Sequence, residues 1–280
     1  MGKLVLFNFI LILIISAVLF GVKKWVRSER GEYALFLIAP IVTILVHYSG
    51  LPLTFLKGGD VYAYLNYNVN LVLPIYPCNV VMWCALIYGF LRNKEGKIAT
   101  LLSDYIFWFG IASTLVGMFA NVDFIVNPTL KDYEVTKSIL AHATLLFNVL
   151  LIPVFARLRP SFKRNMISIF VSVIGMYVIG HYCNLLLRVL VSEEQAYYKN
   201  SMFIIHSPFE NLPFLRYPVI ALAAMIIYLI IFTVVDLIKT EKGERWFDKA
   251  LQKLKRGSSM RSQRKEKNDH QMMVVELGYG

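Results

Sequence analysis

Seven long apolar stretches divide this 280-residue chain, and each is close to the length that a helix needs to cross a bilayer. A hydrocarbon core about 30 Å thick requires roughly 20 helical residues, a length that apolar runs of soluble domains seldom reach. Hydrophobic residues make up 57% of the chain and charged residues only 17%, compared with about 25% charged residues in a typical soluble domain. The sequence therefore excludes a soluble globular enzyme, a disordered chain and a secreted disulfide scaffold.

The predicted fold is an all-α integral membrane protein, a bundle of seven transmembrane helices. The predicted spans are residues 4–22, 33–53, 71–91, 101–122, 138–156, 166–188 and 214–238. Cytoplasmic flanks of membrane proteins hold most of the Lys and Arg residues. An external amino terminus leaves only seven of the 29 Lys and Arg residues outside. We therefore expect a multi-pass protein of the cell membrane with its amino terminus outside and its carboxyl terminus in the cytoplasm.

The carboxyl-terminal part of the chain differs in character from the seven-span membrane domain, which is predicted to cover residues 1–242. In residues 243–257, apolar side chains such as Trp246, Leu251 and Leu254 recur at helical spacing among lysines, which indicates an interfacial amphipathic helix. Residues 258–280 are polar and basic and are predicted to be a disordered cytoplasmic tail. The expected partner of this positive charge is anionic lipid of the inner leaflet, and not nucleic acid.

Nine polar side chains in or at the ends of the predicted spans fall on the outer side, although the spans alternate in direction, and Asp104 near a cytoplasmic end is an exception. The nine are His47, Cys78, Asn79, Asn121, Asp123, His142, His181, Asn184 and Arg188. Polar and ionisable groups are costly in the hydrocarbon core and commonly mark function there. One interpretation is a polar pocket open toward the outer leaflet. The alternative is that each side chain only reaches the wet interface, where polar tips are easily solvated.

Cys78 follows two prolines, Pro74 and Pro77, that interrupt the third predicted span. Each proline removes a helical N–H donor, so the helix should break or kink here. If the helix restarts at Pro77, Cys78 lies in its first turn, where free N–H groups favour a thiolate and can bind an oxyanion. His142 or His181, at similar depth, could then act as the base. An inert cysteine in a proline-kinked helix remains the alternative.

The chain resembles the bacterial YwaF family and its eukaryotic relative, the transmembrane protein 164 family of membrane acyltransferase-like proteins. The resemblance covers about residues 30–238. It is carried by Leu73-Pro74-x-x-x-Cys78, Tyr105-x-x-Trp108-x-Gly110-x-x-x-x-Leu115, His142 followed by Arg159-Pro160, and Asn184. The resemblance implies a multi-pass fold related to the androgen-induced gene 1-like lipid hydrolases. It also implies a cysteine nucleophile and a histidine base, which match Cys78 and His142.

The predicted function is that of a membrane acyltransferase or transacylase acting on a (phospho)lipid through a Cys78 acyl-enzyme in an outer-leaflet pocket. The residues expected to bind or orient the substrate are Asn79, Asn121, Asp123, His181, Asn184 and Arg188. No cofactor or metal is predicted, since no phosphate-binding loop or metal-spaced cluster is present. In the family pattern a histidine stands two residues before the cysteine, whereas this chain has Tyr76 there and Pro77 beside it. A lipid hydrolase of the same fold, and a non-catalytic seven-span receptor or transporter, remain alternatives, and the oligomeric state is left open.

Overall fold

The structure, a computed structural model, describes residues 2–119, 129–158, 161–207 and 211–255, and these ranges contain helices but no strands. The all-α class is therefore confirmed. The α-helices are α1 Gly2–Trp25, α2 Glu29–Tyr48, α3 Gly50–Leu56, α4 Val61–Tyr67, α5 Pro77–Phe90, α6 Lys97–Phe119, α7 Tyr133–Val154, α8 Phe162–Leu190, α9 Glu193–Lys199, α10 Tyr217–Lys239 and α11 over residues 246–255. Short 3₁₀ turns occupy Val69–Leu71 and Ser201–Phe203.

Six of the described helices, α1, α2, α6, α7, α8 and α10, are long and apolar enough to cross a membrane. The third predicted span, residues 71–91, is not one continuous helix, because only Pro77–Phe90 is helical. At 1.5 Å per residue these 14 residues reach about 21 Å, which is short of a hydrocarbon core about 30 Å thick. The prolines explain the difference, because neither Pro74 nor Pro77 can donate an intrahelical hydrogen bond.

The described residues form two compact units. The first consists of the described residues within 1–160 and 167–225, and the second of those within 161–166 and 226–255. In the first unit α2, α5, α6 and α7 pack on one another, and α1 packs against α6 and α7. The buried centre is apolar, with Val81, Val149 and Leu151 fully inaccessible. The outer faces are also apolar, for example at Leu13 and Phe20 of α1, as expected of surfaces that face lipid.

Polar residues define several helix starts in the first unit. The Ser28 side chain accepts a hydrogen bond from the Gly31 N–H and begins α2. The Asp132 carboxylate accepts one from the Glu134 N–H and begins α7. Such caps pair N–H groups that have no partner inside the helix. α2 and α7 therefore each have a defined first residue, which fixes the position of the side chains that follow.

In the second unit, α11 folds back on residues of α8 and α10. The Trp246 ring stacks on Phe162 with the ring centroids 4.2 Å apart. The Trp246 backbone N–H donates to Asp236 Oδ2, and its indole N–H donates to Thr233 Oγ1. The sequence predicted a helix over residues 243–257, and its described part is helical over 246–255. Residues 256–280, which include the predicted tail, lie outside the described residues.

Candidate functional site

Cys78 is the second residue of α5, directly after the helix starts at Pro77. Proline suits this first position, since the N–H group that it lacks would have no intrahelical partner. The Asn79 backbone N–H donates to the Tyr76 carbonyl oxygen at 3.0 Å. Asn79 completes the helix start, because its Oδ1 accepts the Tyr76 N–H at 3.2 Å. The start of α5 therefore places the positive end of the helix dipole near the thiol.

The broken segment before α5 leaves backbone carbonyls without an intrahelical partner, and α2 supplies partners for two of them. Pro74 cannot donate to Asn70, and the Asn70 carbonyl oxygen instead lies 3.5 Å from His47 Nε2. The Tyr48 hydroxyl donates to the Leu71 carbonyl at 2.7 Å. Irregular backbone at membrane depth requires such internal partners. His47 and Tyr48 therefore stabilise the break that exposes the helix start of Cys78.

Two further carbonyls of the broken segment are paired, one locally and one by the 3₁₀ turn at Ser201–Phe203. The Leu73 carbonyl receives no hydrogen bond from Pro77, which has no N–H, and instead accepts the Ile75 N–H at 2.8 Å. The Ile75 carbonyl accepts both the Ser201 hydroxyl and the Met202 N–H, each at 3.0 Å. The segment before Cys78 is thus held from two sides.

His47 also contacts the helix start itself. Its Nε2 lies 3.5 Å from Asn79 Nδ2 as well as 3.5 Å from the Asn70 carbonyl oxygen. A neutral imidazole protonated at Nε2 donates to Asn70, and the other tautomer accepts from Asn79. His47 is therefore the histidine whose ring contacts the neighbour of Cys78 in the sequence.

His142 lies on α7, and its orientation is set by its own helix and by α6. Its Nδ1 donates to the Ser138 carbonyl oxygen at 2.7 Å, which leaves the Nε2 lone pair free to accept a proton. The ring rests on Gly117, where an added Cβ would lie 2.1 Å from Nε2. Within the described residues, no hydrogen bond joins Cys78 Sγ to a histidine ring. His142 is thus in the tautomer that can accept a proton at Nε2, but its ring is not hydrogen-bonded to the Cys78 thiol.

Three of the predicted substrate residues line one cavity of about 650 Å³. His181, Asn184 and Arg188 contribute one face of α8, and the other lining residues are Tyr182, Leu185, Ile204 and Ile205. The Asn184 amide is buried and binds the backbone of Ser201. Cys78 and His142 are not among the lining residues of this cavity. The predicted pocket residues Asn121 and Asp123, and also Arg159 and Pro160 of the family motif, lie outside the described residues.

A polar cluster between α4 and α7 is a feature that the sequence analysis missed. The Lys137 ammonium pairs with Glu134 and donates to the Tyr64 hydroxyl at 2.8 Å, and that hydroxyl donates to Glu134 Oε1 at 2.9 Å. Burial, together with the hydrogen bond to Glu134, raises the pKa of Tyr64. The spacing of Glu134 and Lys137 by three residues is typical of a helical ion pair and could have indicated the contact. The burial of Lys137, with 8% of its side chain exposed, depends on α4 and was not readable from the sequence.

The described ranges contain no group of three or more His, Cys, Asp or Glu side chains placed to hold a metal ion. The three cysteines are free thiols, with Cys183 buried and Cys78 and Cys84 partly exposed. The candidate site therefore consists of the Cys78 helix start, its backbone partners and His142.

The long apolar helices and the irregular, internally paired segment define the class of protein as a multi-pass, all-helical membrane protein. A sequence model of the TMEM164 family matches residues 3–236. The chain therefore belongs to the TMEM164 family, as the motif resemblance predicted. No curated protein and no solved structure matched the chain in the corresponding searches.

Proposed function

We propose that this protein is a membrane acyltransferase or transacylase in which Cys78 carries the acyl group. The observation that carries the proposal is the position of Cys78 in the first turn of α5, at the positive end of the helix dipole. A helix start favours both a thiolate and the oxyanion of an attacked ester. The acyltransferase-like character that the family resemblance implies gives further support.

The reaction begins with attack of Cys78 Sγ on the carbonyl carbon of a lipid ester. A base takes the thiol proton, the carbon–oxygen bond of the ester breaks, and the lysolipid alcohol leaves with that proton. An acceptor alcohol then attacks the thioester, gives its proton to the base and restores the thiolate. We assign the base to His142, whose Nε2 lone pair is free because Nδ1 donates to Ser138. Water in place of the acceptor alcohol gives the hydrolase alternative.

The proposed substrate is a (phospho)lipid of the outer leaflet. The cavity beside α8 combines the cationic Arg188 and the polar His181 with the apolar Leu185 and Ile204. Such a surface suits the junction between a lipid headgroup and its acyl chains. The proposed site residues are Cys78 and His142, with Asn79, His181 and Arg188 as groups that orient the substrate, and with Asn121 and Asp123 proposed from the sequence alone. Asn184 is assigned to the site through its bonds to the Ser201 backbone.

The test is covalent labelling of the purified protein in lipid with a long-chain chloroacetamide, followed by peptide mass mapping. Cys84 and Cys183 serve as internal controls in the same chain. We expect selective labelling of Cys78 that is strongly reduced in His142→Ala. Incubation with phospholipid and a lysolipid acceptor should further give an acyl adduct on Cys78 that hydroxylamine removes, and Cys78→Ser should abolish it.

One observation favours a non-catalytic seven-span protein as the second candidate. The polar groups nearest Cys78 are engaged with backbone, and within the described residues no histidine ring is hydrogen-bonded to the thiol. In that case Cys78 and Cys84 label at the same slow rate and His142→Ala changes neither. That result would contradict the acyltransferase proposal and direct work to ligand-binding and transport assays.

A further inference from the structure

The backbone carbonyl of Ile75, three residues before Cys78, accepts hydrogen bonds that fix the chain just before α5 begins. Ile75 is 1% exposed, so its carbonyl has no access to water. The Ser201 hydroxyl and the Met202 N–H both donate to it at 3.0 Å. An unpaired buried carbonyl is strongly unfavourable, and two donors on one oxygen fix its direction as well as its position. Ser201 and Met202 therefore set where the chain enters α5.

Asn184 on α8 fixes Ser201 in turn. Its Oδ1 accepts the Ser201 N–H at 2.8 Å, and its Nδ2 donates to the Ser201 carbonyl at 3.3 Å. The Asn184 side-chain amide therefore binds both the backbone N–H and the backbone carbonyl of Ser201, as a neighbouring β-strand would. These two bonds leave Ser201 little rotational freedom. Asn184 and Ser201 are both buried. The chain of contacts thus runs from α8 through Ser201 to Ile75.

The 3₁₀ turn that makes these contacts has an unusual backbone. Asn200, Met202 and Phe203 have φ angles of 41°, 55° and 56°, in the left-handed region that residues with a Cβ rarely adopt. The Asn200 side chain stabilises this conformation, because its Oδ1 accepts the Ile205 N–H and its Nδ2 donates to the His206 carbonyl. Strained backbone of this kind persists only where surrounding contacts enforce it, and it is common at functional sites.

We infer that Asn184 is a positioning residue for Cys78. Through Ser201 it holds the Ile75 carbonyl, and so it fixes the start of α5, in whose first turn Cys78 lies. The inference rests on the proposed function of Cys78. It replaces the predicted direct contact of Asn184 with substrate by an indirect action through the backbone.

The experiment compares Asn184→Leu, Ser201→Ala and the control Asn148→Leu with the unmodified protein in lipid. Asn148 is an equally buried asparagine that bonds to Thr43 and Thr144 and not to the broken segment. Two quantities are measured for each protein. The first is the saturation kinetics of Cys78 labelling by a long-chain chloroacetamide, and the second is backbone hydrogen exchange in peptides covering residues 75–82 and 200–205.

The expected result is a change in the labelling rate without a change in probe binding. Ser201→Ala removes one hydrogen bond and should lower the maximal labelling rate of Cys78 about fivefold, and Asn184→Leu, which removes two, about tenfold or more. The half-saturating probe concentration should stay constant, since neither side chain contacts the probe in this scheme. Exchange in 75–82 should accelerate in both variants, while Asn148→Leu keeps the labelling rate and this exchange close to those of the unmodified protein.

Unchanged Cys78 labelling in Ser201→Ala and Asn184→Leu would overturn the inference while the proposed function stands. If Asn184→Leu does not fold, the smaller change in Ser201→Ala decides. If Cys78 of the unmodified protein is labelled no faster than Cys84, the proposed function fails. The hydrogen-exchange measurement then tests by itself whether Asn184 and Ser201 hold the segment before α5. Equal hydrogen-exchange rates in residues 75–82 of Asn184→Leu and Asn148→Leu would overturn the inference that Asn184 fixes the start of α5.

Discussion

Several polar side chains near the start of α5 bind the protein's own backbone. His47 and Tyr48 approach the carbonyls of Asn70 and Leu71, and Asn79 accepts the Tyr76 N–H. In lipid no water replaces a missing backbone partner, so a proline-broken segment must recruit side chains from its neighbours. These residues therefore have a structural role that their depth in the predicted spans did not indicate.

Gly117 is expected to be essential for the orientation of His142. In Gly117→Ala the new Cβ would lie 2.1 Å from His142 Nε2 and Cδ2, so the ring must move. Overpacking of this kind typically costs about 1–3 kcal/mol of stability. We expect a lower midpoint of thermal unfolding in detergent and slower labelling of Cys78.

Gly175→Ala is the matched control, because a Cβ at Gly175 meets no atom within 4 Å and the residue lies inside α8. Replacing a glycine inside a helix by alanine is expected to be neutral or to stabilise by about 0.5–1 kcal/mol. Equal unfolding midpoints and equal Cys78 labelling rates in the two variants would contradict the role given to Gly117.

At the scale of helices, α4 is tied to α7 by the cluster of Tyr64, Glu134 and Lys137. Gly50 at the start of α3 leaves room for it, since a Cβ there would lie 1.8 Å from the Tyr64 hydroxyl. The Lys137 ammonium also lies over the Tyr64 ring, 5.5 Å from its centroid. A short helix with no buried residue of its own thereby gains a defined contact with α7.

Breaking the cluster from one side should destabilise the protein more than removing both charges. Glu134→Gln leaves the buried Lys137 without its anion, and this should cost about 1–3 kcal/mol, less than for a fully buried pair because Glu134 is 40% exposed. Glu134→Gln/Lys137→Met removes the uncompensated charge and should recover part of the loss. Denaturation of Glu134→Gln, Lys137→Met and the double variant gives the coupling energy. Additive losses would show that the two side chains do not interact.

Helix α11 is expected to rest on anionic lipid through its exposed apolar residues. Leu251 and Leu254 are 54% and 70% exposed, and Lys253 and Lys255 lie close to them in the sequence. Hydrogen exchange in residues 246–255 should be slower in nanodiscs with anionic lipid than in neutral ones. Leu251→Ser/Leu254→Ser should remove this difference. Leu56→Ser, a change at an exposed leucine of α3, should retain it, and a difference that survives the double substitution would rule out this mode of docking.

For the molecule as a whole, the number of membrane crossings depends on α5. Six of the described helices are long enough to span, and α5 is not. If α5 together with the broken segment before it still crosses the bilayer, the crossings are odd in number and the two termini lie on opposite faces. This is the arrangement that the distribution of Lys and Arg favours.

We expect a tag at the amino terminus to be accessible from outside intact cells and a tag at the carboxyl terminus to become accessible only after permeabilisation. Protease protection of the two tags measures this directly, and a cytoplasmic tag on an unrelated membrane protein controls for cell lysis. Accessibility of both tags from the same side would show that α5 turns back within the membrane.

The sequence predicted the long helices well, because apolar length is a property of consecutive residues. The predicted spans 101–122 and 138–156 correspond to Lys97–Phe119 and Tyr133–Val154. The start of α5 was also readable, since Pro77 suits the first helical position whatever surrounds it. The helices of the connections, such as α4 and α9, were not predicted, because short helices depend on tertiary contacts more than on their own sequence.

What the sequence determined by itself was the membrane-embedded all-helical class, the break before Cys78 and membership of the TMEM164 family. Each follows from local properties: hydrophobic length, the missing N–H of proline, and motif order. The tertiary structure alone decided that Asn184 binds Ser201, that Ser201 binds Ile75 and that the His142 ring rests on Gly117. These contacts join residues on different elements, and a buried polar group takes whichever partner the packing of those elements brings within reach.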